Sequence, residues 1–150
     1  MDQFVVFRMR EEYYGVPIEQ VQAIEKVPDI TRVPQAPNYV KGIADIRNEV
    51  TTVIDLKELL QVGEVKKDAS SRILLINLHG LHLGLMVDEA KEVLGIDTET
   101  VEDPPQMVGG IDQEYISAVS KQDDRLLVLV NLEKILNVHQ IEEVKEAVEA

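Results

Sequence analysis

The stretch YVKGIADIRNEVTTVIDL (residues 39–56) decides how this chain is read. Two apolar runs, IADI (43–46) and VTTVI (50–54), lie on either side of Arg47, Asn48 and Glu49. With the turn placed at Asn48–Glu49, they are expected to form a β-hairpin. Asp55 then precedes LKELL (56–60), where its carboxylate can accept from the free N–H groups of a short helical turn. Arg47 lies between two acids, Asp45 and Asp55. The pattern has two readings, a catalytic site or a grip on another protein.

The same strand-and-turn rhythm extends outward from this hairpin. QFVVFRM (3–9) and YYGVPI (13–18) flank the turn REE, and RILLINL (72–78) and LHLGLMV (81–87) flank a His-Gly turn. EYISAVS (114–120) and RLLVLV (125–130) flank the polar loop KQDD. Short strands at even spacing with turn signals between them are the pattern of sandwiches and barrels. Helix is sparse: LEKIL (132–136) behind Asn131 repeats the capped turn, and Ile141, Val144 and Val148 give the C-terminus a helical spacing.

The two capped turns belong to a longer internal echo. VIDLKELL (53–60) matches LVNLEKIL (129–136), and YYGVPIEQVQAI (13–24) matches HLGLMVDEAKEV (82–93). Gly15 then corresponds to Gly84, and Glu19 to Asp88. The echo predicts two similar β lobes, of approximately residues 1–60 and 72–136, joined by the polar connector QVGEVKKDASS. Exchange of strands between the lobes is left open, and a C-terminal helix is expected over 139–149. A groove between packed lobes is a common place for binding.

Composition narrows the function. The 150 residues are 45% hydrophobic but include no Trp, two Phe and four Tyr, so the core must be Val, Ile and Leu, which suit a pleated sheet. A formal charge of -13 argues against partners with phosphate backbones or anionic lipid. The lack of cysteine removes disulfides, thiolate nucleophiles and zinc–thiolate sites. No early apolar run reads as a signal peptide and none approaches a membrane span, so a soluble cytoplasmic protein is expected.

No residue set supports catalysis. His79 and His82 flank a turn without a carboxylate at ligand spacing, so no metal site is expected there. Ser70, Ser71, Ser117 and Ser120 include no nucleophile elbow, and Gly109–Gly110 no phosphate loop. Asp55 is explained by its cap, and Asp45 is expected to be solvated rather than one half of an acid–base pair. Gly42 is expected to leave room for a second backbone, such as a partner's.

With these features in view, RVPQAPNYVKGIADIRNEVTTVIDL (32–56) resembles the signature of the CheW family of bacterial chemotaxis adaptors. In that signature V-P-x-x-P-x-[FY]-[VI]-K-G-[VI]-x-N-L-R-G precedes a V-I-D-L strand. The resemblance continues through LGLMVDEAKEVLGI (83–96) and EYISAVSKQDDRLLVLVNLEKIL (114–136), and so covers nearly the whole chain. It implies a mainly β fold of two SH3-like five-stranded β-barrels packed together, with short helical turns and a C-terminal helix. It also implies no enzyme activity and no cofactor. The implied role is coupling of transmembrane chemoreceptors to the histidine kinase CheA in receptor arrays. Carried over by position, the cytoplasmic tip of a methyl-accepting receptor would lie in the inter-lobe groove. The residues there would be Val21, Val27, Val40, Lys41, Gly42, Ile43 and Arg47. The kinase's regulatory domain would meet Val87, Ala90, Val93 and Leu94.

Two positions depart from the signature: Asp45 replaces its Asn and Asn48 its Gly. Asn tolerates positive φ best after Gly, so the turn should survive. The same domain also occurs in CheV-type proteins and in the kinase itself. A chain that begins with Met just before its first strand and ends after one helix fits the stand-alone adaptor.

Overall fold

The computed structural model describes residues 2–78, 80–108 and 110–136. The helix expected over 139–149 and His79 of the histidine pair lie outside them. The described residues form twelve strands: β1 (Asp2–Met9), β2 (Glu12–Pro17), β3 (Ala23–Lys26), β4 (Val40–Ile46), β5 (Glu49–Asp55), β6 (Arg72–Leu78), β7 (Leu81–Val87), β8 (Glu89–Ile96), β9 (Met107–Val108), β10 (Ile111–Asp112), β11 (Ile116–Gln122) and β12 (Arg125–Val130). Two single helical turns, α1 (Leu56–Leu59) and α2 (Leu132–Ile135), follow β5 and β12.

β9 and β10 pair with each other, and the other ten strands make two five-stranded sheets, ordered β11-β12-β2-β1-β8 and β4-β5-β7-β6-β3. Their pairings repeat. Gly15 on β2 faces Leu129 of β12 in a parallel pair, and Gly84 on β7 faces Val53 of β5 in another. These are the correspondences that the sequence echo predicts. β3 follows β2 in the chain but pairs with β6, while β8 follows β7 but pairs with β1. Each sheet therefore draws strands from both halves of the sequence.

Both sheets curl until their edges meet. The segment after β3 bridges back to β4: Thr31 N donates to Ile43 O and Ile43 N to Thr31 O, both at 2.8 Å. The segment after β8 does the same to β11 through Glu102 and Val119, at 2.8 and 2.9 Å. β4 carries a bulge between Val40 and Gly42, and β11 carries one between Ile116 and Ala118. Bulges bend a strand and increase its twist, which closure requires. The result is the pair of small five-stranded barrels that the resemblance implies. We call them the first barrel (β1, β2, β8, β11, β12) and the second (β3–β7).

Three apolar clusters follow from this closure. Ala44, Ile46, Val53, Ile73, Leu75 and Met86 fill the second barrel, and Phe4, Val6, Ile96, Leu127 and Leu129 fill the first. The largest cluster lies between the barrels, with Val5, Phe7, Met9 and Tyr14 from one meeting Ile54, Leu74, Leu83 and Leu85 from the other. Strands buried on both faces read as continuous apolar runs rather than alternating ones. This is why LVLV (127–130) and ILLI (73–76) show no polar face.

The helical turns are capped as expected. Asp55 Oδ1 accepts from Glu58 N at 3.1 Å, and Asn131 Oδ1 accepts from Lys134 N at 3.1 Å. Asp55 does more than cap. Its second oxygen accepts from Val65 N at 2.7 Å and so fastens the connector between the two halves of the sequence. Burial pushes its carboxyl above the usual range, against the pull of the two backbone N–H groups and of Lys41.

Candidate partner-binding site

The β4–β5 hairpin sets the first candidate surface. Its turn is Arg47–Asn48, one residue earlier than expected, with φ of 54° and 65° at the two positions. Positive φ at both central residues is the two-residue turn whose twist matches the strands. Arg47 is therefore a turn residue rather than a strand end. From there its Nε donates to Glu25 Oε1 on β3 at 2.5 Å, across the closure of the second barrel. Its side chain remains 64% exposed.

Gly42 is corrected by the structure. A Cβ there would stand 2.0 Å from Thr31 O, and φ is +143°. The backbone for which it leaves room is the chain's own, at the barrel closure, and not a partner's. Ile43 makes the closing hydrogen bonds and its side chain is half-buried.

A cavity of about 790 Å³ lies within the second barrel's loops, not between the barrels. Val27, Val40 and Lys41 line it together with Val33, Val65 and Met86. Lys41 stands between Glu58 and Glu64 at 2.9 Å from each. Burial lowers the lysine's pKa, but the bonds to the two carboxylates outweigh it, so the net shift is upward and the ammonium is held charged. Arg47 lines a second, smaller cleft of about 130 Å³ with Gln22, Glu49, Thr51 and His82, while Val21 packs at the edge of the inter-barrel core. His82 Nε2 lies 2.8 Å from Glu49 Oε2, and no group of three potential metal ligands occurs among the described residues.

On this hairpin one exposed apolar residue escaped the sequence reading. Val50, 68% exposed, sits opposite Asp45 on the outer face of the hairpin. It lies in the apolar run VTTVI, yet it precedes the buried stretch. The available signal was its place right after the turn, beyond the cover of the neighbouring strand. Asp45 is exposed, as expected.

The second candidate surface lies on β8, an edge strand of the first barrel. Here the expected set divides. Val87 has 0% exposure and Ala90 5%, and both belong to the inter-barrel core, so their side chains present nothing to a partner. Val93 is 45% exposed, and Leu94 is half-buried against the first barrel's core. Beside them, Arg125 pairs with Glu92 and lies 4.3 Å over the Tyr13 ring. No helix among the described residues is long and apolar enough to cross a membrane.

Comparison with known proteins agrees with this architecture. The family model described as the CheW-like domain matches residues 3–140. Chemotaxis protein CheW of Treponema pallidum is 31% identical over 144 residues, covering 93% of this chain and 85% of that protein. Chemotaxis protein CheW of Bacillus subtilis is 31% identical over 136 residues, covering 91% and 87%. Among solved structures, the scaffolding protein TtCheW from Thermoanaerobacter tengcongensis matches with a TM-score of 0.81 at 33% identity, over 93% of this chain and 90% of that one. Twin closed barrels, the Lys-Gly bulge and the arginine turn thus occur in a chain that belongs to the CheW-like family of chemotaxis scaffolding proteins.

Proposed function

We propose that the protein is a non-catalytic adaptor with one partner surface on each barrel. The second barrel, around Arg47, Val50 and the groove beside Val27 and Lys41, holds the cytoplasmic tip of a methyl-accepting chemoreceptor. The first barrel, around Val93 and Leu94 on β8, holds the regulatory domain of the histidine kinase CheA. The protein works in the cytoplasm and joins membrane receptor arrays through these partners.

The observation that carries this reading is the backbone of Arg47. A left-handed conformation costs a residue with a Cβ about 1–2 kcal/mol. The exposed pair with Glu25 returns only about 0.2–1 kcal/mol. Folding alone therefore does not favour arginine at this position, and strain of this kind collects at functional sites. Glycine there would relieve the strain and lose the pair, leaving stability within about 1 kcal/mol of wild type.

Arg47→Gly is accordingly the informative variant. In pull-downs with a receptor cytoplasmic fragment and with the CheA regulatory domain, it is expected to lose receptor binding and keep the kinase domain. Val93→Asp is expected to do the reverse. Wild-type protein that captures neither partner contradicts the adaptor reading. Arg47→Gly protein that binds the receptor fragment normally removes Arg47 from it.

A further inference from the structure

The internal repeat shows that the two ends of the joint between the barrels are unlike. At one end, Lys57 on α1 of the second barrel reaches Asp88, with Nζ 3.3 and 3.1 Å from its two oxygens. Asp88 is tied in turn to the first barrel. Its Oδ2 accepts from Arg10 N at 2.7 Å, and its own N–H donates to Arg8 O at 3.1 Å. The pair is only 12% and 16% exposed, so water screens it little. It joins the barrels like a rivet.

At the other end, the repeat places Glu19 where Asp88 stands and Glu133 where Lys57 stands. Ile76, Leu78 and Leu132 take the places of Phe7, Met9 and Leu56, so the surroundings match. In place of an ion pair, two carboxylates line an open cleft of about 170 Å³. Like charges cannot make the bond that holds the opposite end.

We infer that the barrels pivot about the Lys57–Asp88 end, opening and closing at the Glu19–Glu133 end. The large apolar cluster between the barrels keeps the excursion small. The Arg47 turn belongs to one barrel and Val93 to the other, so the pivot changes the angle between these two surfaces. This inference does not depend on which partners they bind.

The test uses the lack of native cysteine, which lets spin labels report only on chosen positions. Labels at Asn77→Cys and Glu114→Cys span the open end, and labels at Glu11→Cys and Gln61→Cys span the riveted end. All four sites are exposed. The open-end distance distribution is expected to be the broader of the two.

Glu133→Lys or Glu19→Lys alone creates an opposite-charge pair and is expected to narrow it, lowering the open-to-closed ratio about two- to fivefold. The double variant Glu19→Lys/Glu133→Lys restores like charges and is expected to restore the breadth, a pattern that general misfolding does not produce. Equal widths at the two ends of the wild-type joint overturn the inference. Single reversals that leave the open-end distribution unchanged do so as well.

Discussion

Asp55 and Asn131 hold the same place in the two halves of the repeat, yet exchanging their chemistry should have unequal consequences. Asp55 is fully buried and accepts two backbone N–H groups, Glu58 N at 3.1 Å and Val65 N at 2.7 Å. Asparagine has one acceptor oxygen. If that oxygen stays on Glu58 N, the amide NH2 faces the buried N–H of Val65, donor against donor. An orphaned buried N–H costs about 1–3 kcal/mol. Relief of the buried charge offsets part of this, leaving a net loss of about 1–2 kcal/mol for Asp55→Asn. In a chain of this size, that lowers Tm by roughly 3–7 °C. Among the described residues Asn131 accepts only from Lys134 N, and Asp caps as well as Asn, so Asn131→Asp should stay within about 0.5 kcal/mol. Thermal unfolding followed by circular dichroism measures both variants. If Asp55→Asn unfolds with wild-type Tm, or both variants lose stability equally, Asp55 is not the second anchor of the connector.

Asp55 also sets a pH dependence. Burial raises its folded pKa above the ordinary 3.8 of an aspartate. The folded state thus binds the proton first, and this group's contribution to stability grows as pH falls through the raised value toward 3.8 and is lost as pH rises again. The stability gap between wild type and Asp55→Asn should accordingly widen from pH 7 to pH 4.5, read from urea midpoints; a constant gap contradicts it. Gly42→Ala drives a Cβ against Thr31 O and breaks the barrel closure, at a cost of about 3 kcal/mol. Ala118→Gly at the equivalent bulge should cost under about 1 kcal/mol by the same measurement. Asn48→Gly relieves the left-handed turn and should raise stability by about 0.5 kcal/mol, seen as a higher urea midpoint with unchanged slope.

Much of this architecture was legible because the repeat supplies two copies of each signal. β6 and β7 fall on the residues expected, and both caps sit on the Asp and Asn that the helical turns called for. Less visible were β3 and β8, the strands that change barrels. AIEK and EAKEVLGI carry charges on a part-exposed edge strand, which breaks the apolar alternation by which a strand is recognised. The barrel closures rest on single bridges at Thr31 and Glu102, pairings between residues distant in sequence that no local pattern announces.

The site was harder to read than the fold. Local turn rules disfavour arginine at positive φ, so they moved the turn off Arg47 toward Asn48 and Glu49. Val87 and Ala90 look like any apolar residues beside a partner surface. Only the packing of one barrel on the other shows them to be core. Gly42 looked open because its neighbour, Thr31, approaches from a loop rather than from an adjacent strand.

A protein that bridges two partners through separate barrels must bind both at once. The most direct measurement places a receptor cytoplasmic fragment on a surface and follows capture of the CheA regulatory domain with and without this protein. Capture is expected only when the protein is present, and is expected to be lost on either Arg47→Gly or Val93→Asp. If the two partners displace each other from the protein instead of binding together, they share one surface, and the two-surface account is wrong.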